Sequence, residues 1–357
     1  MTLIIAEAGV NHNGDEKLAF KLVDAAYSAG ADIVKFQTFK AKKLVTKNAK
    51  QAAYQMANTG KQESQMDMLA RLELSYEAHH RLVAHCSKLG IEFLSTAFDS
   101  ESLEFLVNDL KLTRLKIASG ELTNAPLLLQ HARTGCNLIV STGMATLSEI
   151  EVALGVIAFG YSAPVDVMPS IEAFANAYAS DAGQSALKNK VTLLHCTTEY
   201  PAPIHEVNLK AMNTLASAFR LAAGYSDHSA GINIPIAAVA CGAVIIEKHF
   251  TLDKTMKGPD HKASLDPIEL KAMIRAIREV ESALGDGVKR PTNSEVKNKL
   301  VARKSLVAAC DIYKGEMFTQ DNISIKRPGT GKSPYLYWSV LGTAASRDLI
   351  VGEVLDE

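Results

Sequence analysis

The sequence predicts an α/β protein, a closed (β/α)8 barrel of the TIM-barrel class followed by a small C-terminal unit, and three observations carry that prediction. Eight short apolar runs, at residues 3–7, 33–37, 92–96, 114–118, 138–141, 192–197, 221–226 and 243–249, are separated by longer stretches with helical spacing. That alternation is the signature of a parallel sheet built from βα units. Eight units favour closure over an open sheet, and no Gly-x-Gly-x-x-Gly follows the first run to suggest a dinucleotide-binding fold. A barrel takes about 250 residues, so a chain of 357 leaves room for one further small unit.

The elements follow in order. Lys17-Leu18-Ala19-Phe20-Lys21-Leu22-Val23-Asp24-Ala25-Ala26 and Ser148-Glu149-Ile150-Glu151-Val152-Ala153-Leu154 place apolar residues at helical spacing, the second opening on a capping candidate, and such helices form the outer ring. Residues 1–284 are the predicted barrel. Residues 285–298 lose the periodicity and gather Gly, Pro and polar residues, which reads as a linker. From residue 299 to 357 short apolar runs meet turn signals at Lys314-Gly315, Pro328-Gly329 and Gly331-Lys332. A unit of about 60 residues sits near the lower limit for independent stability and is expected to pack on the barrel or on another subunit.

Charge narrows the function. With 38 basic and 39 acidic residues the net charge is −1, which supplies no general attraction for nucleic acid or an anionic membrane. Any anionic ligand must be gripped locally. The five cysteines, Cys86, Cys136, Cys196, Cys241 and Cys310, form no Cys-x-x-Cys pair and are expected as reduced thiols of a cytoplasmic protein. No apolar run reaches about 18 residues, and the one at residues 2–6 is too short for a signal-peptide core.

The polar residues inside the apolar runs point to a site. His228 and His249 each close a run and lie 21 residues apart, a spacing suited to neighbouring strand ends where two imidazoles hold one metal ion and leave its other positions open. Alternation puts Lys35 and Gln37 on one face of their strand, and Glu247 and His249 on one face of theirs. A lysine at a strand end, taken alone, is more often a solvated rim residue. Lys35 and Lys116 both lie inside apolar runs, however, and Ser119, Ser141 and Ser226 close neighbouring ones, so two ammonium groups with several hydroxyls suit a phosphate. His195 reads as a hydrogen-bonded barrel residue, and His79, His80, His85 and His131 as surface positions on helices. His12 and His261 stay open between a site role and a loop role.

Several motifs, taken together, resemble the sialic (nonulosonic) acid synthases, which join phosphoenolpyruvate to an N-acylated amino sugar. They are Ala6-Glu7-Ala8-Gly9-Val10-Asn11-His12-Asn13-Gly14-Asp15, Val34-Lys35-Phe36-Gln37, Leu115-Lys116-Ile117-Ala118-Ser119-Gly120-Glu121, Ser141-Thr142-Gly143-Met144, Tyr225-Ser226-Asp227-His228, Glu247-Lys248-His249-Phe250, Gly258-Pro259-Asp260-His261 and Lys326-Arg327-Pro328-Gly329. The resemblance spans nearly the whole chain, with the C-terminal unit similar to an antifreeze-like (SAF) domain. It implies that His228 and His249 bind a divalent metal, manganese first, with magnesium or cobalt as alternatives. It further implies that Lys35, Thr96, Lys116, Ser119, Ser141, Thr198 and Ser226 surround phosphoenolpyruvate. Glu7, Gln37, Tyr200 and Asp260 would face the sugar, with Arg327 supplied by the second subunit of a domain-swapped homodimer. Thr198 departs from the asparagine of some members and offers a shorter hydroxyl.

In the implied reaction Lys116 serves the phosphate, while Glu7 and Glu121 are the acid/base candidates, their roles unassigned; Glu121 has the plainer alternative of pairing with Lys116. The product is a nine-carbon 2-keto acid, N-acetylneuraminate or N,N'-diacetyllegionaminate, with pseudaminate as the alternative; the segment at residues 46–65 resembles the first two branches more. Three other readings match the residues less well. A Schiff-base aldolase would use Lys35 or Lys116 and need neither histidine. A synthase acting on a phosphorylated aldose would need further basic residues at the strand ends. An ice-binding C-terminal unit would not carry Lys326, Arg327 and Lys332.

Overall fold

The computed structural model describes residues 1–60 and 63–356. The chain divides into two compact units, Met1–Gly285 and Asp286–Glu357. In the first, β1 (Leu3–Gly9), β2 (Ile33–Thr38), β3 (Glu92–Ala97), β4 (Arg114–Ile117), β5 (Asn137–Ser141), β6 (Val191–Cys196), β7 (Ala222–Asp227) and β8 (Ile245–His249) form a closed parallel barrel in chain order. β8 pairs back onto β1, with Glu7 opposite His249. All eight lie at the expected runs, with ends shifted by at most two residues, because each run carries apolar residues on both faces for most of its length, which suits a strand covered on both sides.

Side-chain alternation divides the barrel interior into levels. Ile5, Ile33, Leu94, Ile139, Leu194 and Ile245 pack together as a buried apolar plug. Two residues further along the same strands stand Glu7, Lys35, Thr96, Ser141, Cys196 and Glu247, and every one of them is buried. The larger core lies outside the sheet, between strands and helices, and includes Leu22, Val34, Leu82, Leu115, Ile157, Ile246 and Ile277.

Helix ends explain the connections. The helix Glu16–Ala29 starts where Asp15 accepts the Lys17 N–H at 2.7 Å and stops at Gly30, whose φ of 88° is a left-handed cap. It buries Ala19, Leu22, Val23 and Ala26. The helix Leu147–Ser162 is capped by Thr146, with Glu149 bonding back to the Thr146 N–H, so Ser148 falls in the first turn and the capping position lies two residues before the one expected.

The second unit is a two-stranded antiparallel sheet, β9 (Ser305–Ala308) with β10 (Ile323–Lys326), held by a core of Leu306, Ala308, Ile312, Ile323, Val340, Ala345, Leu349 and Leu355. The stretch 285–298, expected as a linker, contains most of the helix Asn293–Ala302. Thr292 and Glu295 form a reciprocal cap there, a local signal that outweighs the missing apolar face. Among the described residues no helix is long and apolar enough to cross a membrane.

Candidate active site

β1, β2, β4 and β8 deliver a buried ring of charge to one end of the barrel. Lys35 Nζ lies 2.7 Å from Glu7 Oε2 and 3.6 Å from Glu247 Oε2, and donates to Thr96 Oγ1 at 3.3 Å. Lys116 Nζ lies 3.4 Å from Glu247 Oε1 and donates to Ser141 Oγ at 2.7 Å. Ser226 donates to Glu247 Oε1 at 2.8 Å. Glu247 therefore bridges both lysines. Strand register brings this about, since Glu7 sits opposite Lys35, Thr96 opposite Lys116, and Ser226 opposite Glu247.

The two carboxylates part electrostatically. Burial, reinforced by Glu247, pushes Glu7 up to about 7 against the pull of Lys35. Burial would raise Glu247 as well, but Lys116 and Lys35 on either side hold it at about 2. Burial lowers both ammonium groups; at Lys35 the carboxylates Glu247 and Glu7 overcome it and the net shift is upward, whereas Lys116 stays below the usual lysine range. Burial thus favours the neutral form of Glu7, while the two flanking lysines favour the anion of Glu247.

Beside the ring the ends of β4, β5 and β6 converge on a glycine. Gly143 N–H donates to Ser119 Oγ at 3.0 Å, and Ser119 Oγ lies 3.1 Å from Cys196 Sγ. A Cβ on Gly143 would meet Thr198 Oγ1 at 2.3 Å and both Cys196 Sγ and Ser119 Oγ at 2.8 Å, so only glycine fits. Thr198 Oγ1 is buried with no hydrogen-bond partner in the protein. Its shorter hydroxyl thus reaches the same cluster as Ser119. A cavity of about 930 Å³ opens here, lined among others by Met144, Thr198, Glu199, Glu206 and Lys210.

The two histidines meet at the edge of the ring, their centroids 5.6 Å apart, with the Tyr200 ring 4.1 Å from His228. His228 Nδ1–H donates to Thr197 O at 2.6 Å, which leaves Nε2 as the lone-pair nitrogen of a neutral imidazole. Burial holds His228 down at about 4 and, with His228 adjacent, His249 well below the usual histidine range. His249 Nδ1 is buried without a hydrogen bond, Asp260 Oδ2 standing 4.0 Å away. Burial pushes Asp260 up to about 6. Two neutral imidazoles, one with an orphaned buried nitrogen, are what a divalent cation requires of its nitrogen ligands. Among the described residues no group of three or more His, Cys, Asp or Glu side chains is arranged to hold a metal; a cation at His228 and His249 would have two protein nitrogens and open positions.

Placement of the other expected residues is mixed. Gln37 follows Lys35 on the same face of β2 and is half-buried. Glu121 lies in a short 3-10 turn, where it accepts from Asn124 Nδ2 at 2.8 Å; Glu247 is the carboxylate that pairs with Lys116. The sequence places Glu247 on one strand face with His249 but gives it no role of its own. Arg327 belongs to the second unit, exposed, with Nε donating to Ala302 O at 3.0 Å.

Among the other histidines, His195 donates to Val207 O at 2.7 Å, as expected of a barrel residue. His80 is exposed and His85 partly so, but His79 and His131 are buried, contrary to the surface reading. His79 bridges Ser75 O and Thr38 Oγ1, and His131 Nδ1 donates to Leu127 O one turn back, so both satisfy a ring nitrogen locally while packing on the core. His12 accepts from Gly14 N–H at 3.0 Å, its Nε2 buried without a hydrogen bond, and His261 contacts Thr251 Oγ1 at 2.7 Å, so each has a contact within the loops.

A barrel mouth that buries two ammonium groups, two carboxyls and several hydroxyls together is the architecture of an enzyme site. The NeuB family model matches residues 22–289 and the SAF domain model residues 303–357, and the chain belongs to the NeuB family. It is 50% identical over 356 residues to the N,N'-diacetyllegionaminic acid synthase of Campylobacter jejuni, covering 100% of this chain and 99% of that protein. It is 45% identical to the enzyme of the same name from Legionella pneumophila, covering 99% and 92% respectively. Among solved structures, the N-acetylneuraminic acid (sialic acid) synthetase of Leptospira borgpetersenii, in complex with citrate, aligns with a TM-score of 0.66 and 33% identity over 83% of this chain and 90% of that one.

Proposed function

We propose that this enzyme condenses phosphoenolpyruvate with the open-chain aldehyde of 2,4-diacetamido-2,4,6-trideoxymannose, forming N,N'-diacetyllegionaminate and inorganic phosphate, with a divalent cation between His228 and His249. The carrying observation is the ring of Glu7, Lys35, Lys116 and Glu247 beside the Ser119, Ser141 and Thr198 hydroxyls. The choice of sugar rests on the two near-full-length relatives at 50% and 45% identity. N-acetylmannosamine, giving N-acetylneuraminate, and the altrose-configured isomer, giving pseudaminate, are the competing substrates.

In this reading Lys116, Ser141 and Ser119 take the phosphate, and Lys35 with Thr96 the neighbouring anionic oxygens. C3 of phosphoenolpyruvate attacks the aldehyde carbon, a carbon–carbon bond forms, and C2 becomes an oxocarbenium. Water adds to C2 and loses a proton, and the bond from C2 to the phosphate oxygen breaks. The bound cation supplies positive charge for the aldehyde oxygen; manganese is the first choice, with magnesium or cobalt as alternatives. Glu7, whose carboxyl burial pushes up toward neutral pH, delivers or accepts the proton at the sugar oxygens. Glu247 keeps both ammonium groups charged and aimed inward.

Phosphate release on the three purified sugars decides the substrate: the 2,4-diacetamido mannose should exceed the others by at least tenfold in kcat/KM. Stripping with EDTA should abolish turnover and Mn2+ restore it, and full activity of the stripped protein would end the metal assignment.

The working unit we propose is a cytoplasmic homodimer in which Arg327 of one copy reads the N-acyl carbonyl in the barrel of the other. Inactive His249→Ala and inactive Arg327→Ala proteins, mixed and allowed to exchange subunits, should recover one working site per heterodimer. Proven exchange without recovered activity would rule out the arrangement in trans.

A further inference from the structure

Behind the two histidines lies an ion pair that the reaction does not use. Lys248 and Asp227 are wholly buried, with Lys248 Nζ 2.6 Å from Asp227 Oδ2. They sit opposite one another in the pairing of β7 with β8. On β8, alternation sends Lys248 to the face opposite Glu247 and His249, so the pair stands on the helix-facing side of the barrel wall. A buried pair of charges loses its hydration, and an apolar pair of the same volume is often as stable or more so. The charge pairing by itself is therefore a weak reason for placing these residues here.

The hydrogen bonds show what it holds. Lys248 Nζ also donates to Ser229 O, and Asp227 Oδ1 accepts the Ser229 N–H at 2.9 Å. The N–H and C=O of Ser229 are thus both tied to the pair, and Asp227 is itself the residue on the other side of His228. His228 is spanned from residue 227 to residue 229 by a single charged clamp, and its ring is then aimed by the Thr197 carbonyl. Ala202 N–H adds a bond to His228 O at 2.9 Å.

We infer that Asp227 and Lys248 are positioning residues that fix the backbone on both sides of His228 and so set the direction of its Nε2 lone pair toward the cation. The inference rests on the metal reading above. Partners of this kind, which orient a ligand without touching the metal, commonly change affinity by about 10–100-fold.

The test is direct Mn2+ binding to the full-length protein by electron paramagnetic resonance, with thermal unfolding of the metal-free protein alongside. The double variant Asp227→Leu/Lys248→Met removes both charges together; its Tm should fall modestly because Ser229 N–H and C=O lose their partners, while in the folded protein Mn2+ binds about 10–100-fold more weakly. Asp227→Asn, nearly isosteric, leaves Lys248 without its anion and should lower the Tm further, yet, once folded, shift affinity in the same direction by a smaller factor because it can still hold the Ser229 N–H. Wild-type protein that binds no Mn2+ would defeat the metal reading itself. Wild-type binding with unchanged affinity in a folded variant would overturn the positioning role alone. If neither variant folds, the pair serves the barrel and not His228, and the inference is equally lost.

Discussion

The two inner levels of the barrel differ in kind although two residues on the same strands separate them. In the plug, Ile5, Ile33, Leu94, Ile139, Leu194 and Ile245 fill the space with hydrocarbon. One step up, Glu7, Lys35 and Glu247 are as fully buried but carry charge. Gly224 permits the closeness of the lower level, since a Cβ there would meet Leu194 Cδ2 at 2.8 Å and Ile245 O at 2.5 Å. The lower level drives water out and gains stability from its area; the upper level gives up hydration so that its charges act strongly on a bound anion. Stability and chemistry are thus stacked along one axis and can be perturbed separately.

The sharpest separation should come from Lys116→Met. Glu247 keeps Lys35 and Ser226 as partners, so the fold should hold, while kcat/KM for phosphoenolpyruvate should fall by about 10³, or about 4 kcal/mol of transition-state stabilisation. Steady-state kinetics alongside a Tm would check it, and a defect confined to the sugar would contradict the assignment of Lys116 to phosphate.

The converse change is Leu94→Ala in the plug. A buried leucine truncated in a close-packed level should lower unfolding free energy by about 2–5 kcal/mol, measured by urea denaturation, yet leave kcat/KM of the folded protein within about threefold of wild type. A large loss of activity in the folded fraction would show the two levels to be coupled.

The smallest effect expected is a pH dependence. Glu7 and Asp260 are held up at about 7 and about 6, against ordinary values of 4.5 and 3.8. As pH rises through that window the unfolded chain has released these protons and the folded chain still holds them, so stability declines with pH and levels off above about 7. Glu247, held at about 2, has the opposite sign: its contribution is present above 4.5 and lost as pH falls toward 2. Glu7→Gln should therefore flatten the decline in Tm between pH 5 and 7. A variant with the same slope as wild type would remove Glu7 as its source.

Most of this site was legible along the chain, for a physical reason. A strand turns its side chains with a period of two, so a lysine or carboxylate inside an apolar run had to point either into the barrel or into the helix layer. Lys35, Lys116, Ser141, Ser226, His228 and His249 could be placed in one mouth from spacing and type, and the strand ends came within two residues. Family motifs then tied these positions to a class of reaction.

Partner choice belonged to the tertiary structure. Glu121 is five residues from Lys116 in the chain, yet Glu247, on the other side of the barrel closure, is the carboxylate that reaches it, because register and circumference decide which charges come within 4 Å. The burial of His79 and His131 depends on which helix face meets the sheet, and the fit of Gly143 against Thr198 and Cys196 on the convergence of three strand ends. Sequence determined which groups enter the interior and at what level, since that is a local matter of period and polarity; their pairing, their pKa values and the clamp behind His228 are set by distances between residues far apart in the chain, which exist only once the barrel has closed.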